Sequence, residues 1–238
     1  MERLWYVPTY VIVTLLVAGP LGAFLGLFPG LTGFSLMLLG LLVGVVFGIG
    51  LAGAAAFAAA TGKAWRPRAV RAAAVPLAVG VATLFLVSRS QGVPMIHDIS
   101  TDFADRLEFT KEVKEASPNK DPDDALRAQV EAMQKAAYPA VAAATLALPP
   151  PQAFARAKQV AEAMPGWQVT SADTESRRIE AIATTGLFHF KDDIVIRVRA
   201  DGGGSRVDMR SRSRVGQSDL GANAKRVEAY MSALAKAG

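Results

Sequence analysis

Asp192-Asp193-Ile194-Val195-Ile196-Arg197-Val198-Arg199-Ala200-Asp201-Gly202-Gly203-Gly204-Ser205-Arg206-Val207-Asp208-Met209-Arg210-Ser211-Arg212-Ser213-Arg214 is the stretch on which the fold of the C-terminal half turns. Two runs of alternating apolar and polar residues flank a glycine loop, the pattern of two strands joined as a hairpin. Symmetric closure of the loop sets Val198 against Val207 and Ile196 against Met209 on one face. On the other face it sets Arg197 against Asp208 and Asp193 against Arg212. Apolar contacts and charge pairs select the same register, so the hairpin anchors the reading of the segments around it.

Upstream, Trp167–Ser171 and Arg178–Thr185 also alternate and read as strands, while the segments between and beyond have helical period. Asp121-Pro122-Asp123-Asp124 is a helix start, with an Asp cap, a proline in the first turn and acids at the positive dipole end. Leu126, Val130 and Met133 give that helix its apolar stripe, and Tyr138-Pro139 ends it. After Leu148 and three prolines, Phe154, Ala157, Ala161 and Met164 share a helix face as far as Pro165-Gly166. A last helix, from about Asp219 to Lys236, turns Leu220, Val227, Met231 and Leu234 to the sheet. The expected domain, residues 121–238, is α+β: an antiparallel four-stranded sheet with helices packed on one face. Residues 92–120, charged and punctuated by proline, read as a tether.

Residues 1–91 have a different composition. No Asp, Glu, Lys or Arg occurs from Leu4 to Gly62, whereas charges are dense after Asp98. A run of this kind belongs in lipid. Spans are expected at about Val7–Phe28, Phe34–Ala60 and Ala72–Ser88, so the chain reads as a three-helix transmembrane region carrying a domain. Trp5, Tyr6 and Tyr10 supply an interfacial belt. The loop between spans two and three holds Lys63, Arg66, Arg68 and Arg71, and the loop between spans one and two holds no charge. The basic loop is expected to stay inside, which gives a cytoplasmic N-terminus and a periplasmic C-terminal domain in a bacterial inner membrane.

Acids and bases balance from Gly92 onward, so the net charge of +5 arises in the anchor and reports topology. Nucleic acid is therefore not an expected partner, since a binder carries its surplus charge where phosphates reach it. The absence of cysteine excludes disulfides and thiolate chemistry. No ionisable residue lies inside a span, which argues against a transporter.

Small residues recur every four positions along both of the first two spans: Ala18, Gly22, Gly26 and Gly30, then Gly40, Gly44, Gly48, Ala52, Ala56 and Ala60. Such a stripe lets helix backbones approach closely. It either packs spans one and two as a hairpin, or turns Gly22, Gly26, Gly40, Gly44 and Gly48 outward as a docking face for a membrane-protein complex or self-association. The lipid bilayer itself is the other expected partner.

A longer pattern is shared with a family. Phe190-Lys191-Asp192-Asp193, then Asp208-Met209-Arg210-Ser211-Arg212-Ser213-Arg214-Val215-Gly216-Gln217-Ser218-Asp219-Leu220-Gly221-Ala222-Asn223, resembles the domain of unknown function 1499 family. Ile96-His97-Asp98-Ile99-Ser100-Thr101-Asp102 is similar to the lead-in of its membrane-anchored members. The resemblance covers most of Pro94 to Leu234 and implies no activity, substrate or cofactor.

Arg197, Arg210, Arg212 and Arg214 share one sheet face and form a candidate anion or lipid-headgroup surface, together with Ser218, Asp219 and Asn223 at the last helix start. The competing reading is a solvated face neutralised by Asp193 and Asp208, with Ser218 and Asp219 as helix caps. Arg226 is expected to tie the helix to the loop before it. His97, Asp98 and Asp102 are too few and too loosely spaced to define a metal site. Gly216-Gln217-Ser218-Asp219-Leu220-Gly221 misses the Gly-x-Ser-x-Gly elbow, and no nucleophile, base and oxyanion set assembles. No catalytic residue, metal or cofactor is assigned. The expected function is a membrane-anchored binding or accessory module, with an anion-binding domain, or an enzyme of unknown type, as the alternative.

Overall fold

The computed structural model describes residues 2–236 and divides into two compact units. One comprises the residues up to Gln91 with residues 186–189. The other comprises Gly92–Thr185 and the residues from Phe190.

In the first unit a short 3-10 turn, Glu2–Tyr6, leads into three helices: α1 (Val7–Phe24), α2 (Gly30–Ala60) and α3 (Arg66–Ser90). All three are long and apolar enough to cross a membrane. Proline 29 caps α2 in an extended conformation, and Pro67 sits in the first turn of α3, where its missing N–H costs nothing. The small-residue stripe lies inside this unit. A Cβ on Gly40 would meet Leu15 and Leu16 of α1 at 3.0–3.2 Å. One on Gly44 would come within 2.4 Å of Val79, and one on Gly48 within 2.9 Å of the Pro76 carbonyl, both in α3. Gly22 is buried against Phe28, and Gly26 lies beyond the end of α1 with φ +70°. Gly40 thus packs toward α1, as the hairpin reading has it, while Gly44 and Gly48 pack toward α3. The upper part of the α2 stripe packs on the third helix, because glycine lets the α3 backbone come close where a side chain would hold it away.

In the second unit one antiparallel sheet runs β1-β6-β5-β4-β3, with β2 also paired to β6. Its strands are β1 (Asp98–Ser100), β2 (Ala144–Leu146), β3 (Trp167–Asp173), β4 (Arg178–Thr184), β5 (Lys191–Asp201) and β6 (Gly204–Ser213). The hairpin closes in the expected register, with Val198 opposite Val207, Ile196 opposite Met209, Arg197 opposite Asp208 and Asp193 opposite Arg212. Asp201 pairs with Gly204, so the turn is two residues, Gly202 and Gly203, both at positive φ. The sheet has six strands where four were expected. The two additional strands have three residues each, too short to display alternation, and pair with the two ends of β6 along its other edge.

The inner face carries Ile179, Ala181, Ile194, Ile196, Val198, Val207 and Met209. It is covered by α6 (Pro150–Ala163) and α7 (Ala222–Lys236) through Phe154, Ala157, Val227, Tyr230 and Leu234. Trp167 stacks on Tyr230, whose hydroxyl donates to the Ala157 carbonyl at 2.9 Å and so joins the two helices. α5 (Asp124–Ala137) starts on Asp123, which accepts from the Leu126 N–H at 2.8 Å. Its buried Gln134 accepts from the Ser100 N–H and donates to the Ser100 carbonyl, filling the open edge of β1 as a further strand would.

Residues 102–121 do not behave as a tether. They cross the outer face of the sheet, forming α4 (Lys111–Ala116) and a second small core of Leu107, Phe109 and Val195, with Val113 beside it. Helices therefore lie on both faces. The apolar positions that drive this are only Leu107, Phe109 and Val113, in a segment otherwise rich in charge.

Candidate functional site

The outer face presents Asp193, Val195, Arg197 and Arg199 of β5 beside Arg206, Asp208, Arg210 and Arg212 of β6, with Arg214 just past the end of β6. Covering it with residues 102–121 removes most of these charges from water, and a buried charge has to find a partner. Arg210, 0% exposed, meets Asp98 through Nε–Oδ1 at 3.0 Å and Nη2–Oδ2 at 2.8 Å, and donates to the Leu107 carbonyl and to Asp121. Arg106 donates to the same Asp98. Arg197 and Arg199 converge on Asp102 and Asp105, and Arg199 also reaches the fully buried Asp208 at 2.7 Å. Arg214 bonds Asp193 at 2.7–2.9 Å. The face is neither solvated nor an open arginine surface. Asp98 of β1 and Asp102 of the crossing segment neutralise it together with the expected Asp193 and Asp208.

Arg212 is different. Its side chain is 1% exposed and gives Nη1 to Asp121 at 2.9 Å, while Nε and Nη2 have no hydrogen-bond acceptor. These two donors form one edge of the guanidinium, the edge that takes two oxygens of a carboxylate or phosphate side by side. Asp193 lies across the strand pair, with its Oδ2 also without a partner and no ion pair to Arg212. The Phe109 ring lies under the guanidinium carbons of both Arg210 (4.5 Å) and Arg212 (4.6 Å).

Arg212 and Phe109 line a cleft of about 420 Å³ whose remaining walls are Lys111, Lys114, Glu115, Asn119, Lys120 and Asp121. Lys111 is held only by a 3.8 Å pair to Glu115, with both side chains exposed. Lys114 sits 2.7 Å from Glu108 and 3.4 Å from Asp121. Burial would raise the Asp121 carboxyl, but Arg210, Arg212 and Lys114 overcome it and lower the value to about 2. Burial raises Asp193 above its ordinary range, against the pull of Arg214. Sequence reasoning found Arg212 but not Phe109, the lysines or Asp121. It took Asp121 for a helix cap, because the Asp-Pro-Asp-Asp start offers several aspartates and local chemistry does not choose among them.

The remaining candidates have structural roles. Asp219 accepts from the Gly221 and Asn223 N–H groups at the start of α7, and the Ser218 hydroxyl accepts from the Leu220 N–H. Asn223 is buried between Ser211, Ser213 and the His97 carbonyl. Arg226 bonds Asp192 at 2.6 Å and Ser211 at 3.1 Å, tying the helix to the strands and not to the preceding loop. Asp98 and Asp102 are engaged by arginines, and no metal-type cluster of three or more His, Cys, Asp or Glu occurs among the described residues.

Fold and site define a class: an α+β domain, its sheet covered on both faces and carrying a basic cleft, in a chain with three apolar helices of membrane-spanning length. Residues 98–234 match the family described as protein of unknown function (DUF1499), and the chain belongs to that family. No curated protein and no solved structure matches it.

Proposed function

We propose that this protein is a membrane-anchored anion-binding module whose site is the cleft over Arg212. The observation that carries the reading is the basic lining of the cleft, Lys111, Lys114, Lys120 and Arg212 against Glu115 and Asp121. The basic loop between the second and third helices supports a bacterial inner-membrane location, with the N-terminus in the cytoplasm and the domain in the periplasm.

Calorimetry of the full chain in detergent, titrated with sulfate, tests the binding. Wild type is expected to bind, and Lys111→Ala with Lys120→Ala to weaken binding at least tenfold. Absence of heat in the folded wild type would refute the reading. For location, a C-terminal alkaline phosphatase fusion is expected to be active and a cytoplasm-only fluorescent fusion dark. An accessory role beside a membrane-protein partner is the second reading; it rests on the anchor alone, because the glycine stripe packs α2 against α1 and α3. Persistent monomers after mild-detergent purification would remove it.

A further inference from the structure

We infer that the β4–β5 loop is a further membrane contact of this protein, with Leu187 at its tip lying in lipid beside the α1–α2 turn. The three hairpin connections of β3–β6 divide by chemistry. The β3–β4 turn is Thr174-Glu175-Ser176-Arg177 and the β5–β6 turn is Gly202-Gly203, both at one end of the sheet. The β4–β5 loop lies at the other end and reads Thr185-Gly186-Leu187-Phe188-His189-Phe190, with three large apolar side chains and no Asp, Glu, Lys or Arg. Its closure presents the apolar tip. The Thr185 N–H donates to the Phe190 carbonyl and the Phe190 N–H to the Thr185 hydroxyl, both at 2.9 Å, while His189 turns the chain back with φ +51°. Leu187 is left 47% exposed.

Residues 186–189 belong to the unit of the three apolar helices, and their contacts within it are specific. The Phe188 ring meets Phe34 of α2 edge-on at 5.4 Å, and His189 stacks on Phe24 of α1 at 6.2 Å. Gly30, the first residue of α2, has no room for a Cβ because the Phe188 carbonyl occupies its place. The loop thereby extends a collar of exposed apolar side chains, Phe24, Leu25, Leu27 and Leu31, on helices of membrane-spanning length. That continuity selects lipid as the occupant: what covers the collar covers the loop tip. The residue that follows the loop is an exposed Lys191, a side chain able to reach from an apolar insertion to the headgroups. Chain length points the same way. Only residues 91–97 lie between α3 and β1, a reach of at most about 25 Å, and β1 starts at the same end of the sheet as the β4–β5 loop.

The inference does not depend on the cleft, and it is tested on the full chain, whose lack of cysteine lets one position at a time carry a nitroxide label. Leu187→Cys, Leu42→Cys within α2 and Glu175→Cys in the β3–β4 turn are labelled in phosphatidylcholine nanodiscs. Spin relaxation by oxygen, which concentrates in lipid, is compared with relaxation by a polar nickel chelate. The oxygen-to-nickel ratio at 187 is expected to approach that at 42 and to exceed that at 175 about tenfold, since hydrocarbon excludes the chelate. Leu187 lies outside the core, so its label does not challenge the fold. A ratio at 187 equal to that at 175 would overturn the inference by placing the tip in water. Shielding of 187 from both reagents would also overturn it, because the tip would then lie against protein.

Discussion

Asp98 and Arg210 are 112 positions apart in the chain and face each other through two hydrogen bonds, at 3.0 and 2.8 Å, with almost no exposure of either side chain. The pair joins the three-residue edge strand β1 to its neighbour β6. Removing one member of a buried pair strands the other, typically at a cost of about 3–5 kcal/mol. Arg210→Ala is therefore expected to lose about that much in urea unfolding followed by Trp fluorescence. Arg210→Lys is also expected to be destabilised, since an ammonium cannot reproduce the fork. A midpoint unchanged in Arg210→Ala would contradict the assignment.

The Gly202-Gly203 turn has both residues at positive φ, +53° and +95°. Asparagine tolerates the first position, so Gly202→Asn is expected to stay within about 0.5 kcal/mol of wild type. Gly203→Val is expected to cost about 1–2 kcal/mol. Equal melting temperatures for the two variants would show that the turn is not held this way.

Gly48 faces the Pro76 carbonyl, whereas Gly50 and Gly53 on the same helix have nothing within 4 Å of an added Cβ. Gly48→Leu is expected to lower the thermal midpoint in detergent by the equivalent of about 1–3 kcal/mol. Gly50→Ala and Gly53→Ala should leave it unchanged, and the contrast separates close packing from general helix effects.

Asp219 accepts two backbone N–H groups at the start of α7. Asp219→Ala is expected to cost about 1 kcal/mol, and Asp219→Asn or Asp219→Ser appreciably less. Hydrogen exchange of the Gly221 and Asn223 amides should quicken in the alanine variant.

Acid stability should depend on Asp121. Burial acts to raise this carboxyl, yet Arg210, Arg212 and Lys114 hold it at about 2, below the ordinary 3.8. A carboxyl lowered in the folded state stabilises above its unfolded value, and that contribution is lost as pH falls from about 4 through about 2. Asp193, raised by burial, has the opposite sign: it opposes the folded state at neutral pH, and the penalty fades as it protonates. Stability measured against pH in Asp121→Asn should be flatter between pH 4 and 2 than in wild type. Superimposable curves would count against the network around Arg212.

How much of this was readable in advance depended on range. Gly202 and Gly203, the alternation from Ile194 to Met209 and the proline stops are local signals, and each led to the right element or register. The site was half readable. Arg212 stood out by its place on an alternating strand, but nothing in its neighbourhood distinguished it from Arg210 or Arg214. The distinction arises from which aspartates reach each arginine: Asp98 of β1 and Asp121 of the crossing segment meet Arg210, Asp121 alone pairs with Arg212, and Arg214 keeps Asp193 from the adjacent strand.

The sequence by itself determined the apolar helices, the hairpin and its pairing, and the Asp219 cap, because these follow from side-chain period and from backbone preferences acting over a few residues. Only the tertiary structure decided that residues 102–121 cross the second face of the sheet and that Arg212 is buried beside a cleft with two donors lacking an acceptor. The reason is that burial selects charge partners by proximity in space, about a hundred positions away along the chain, where no local pattern marks them.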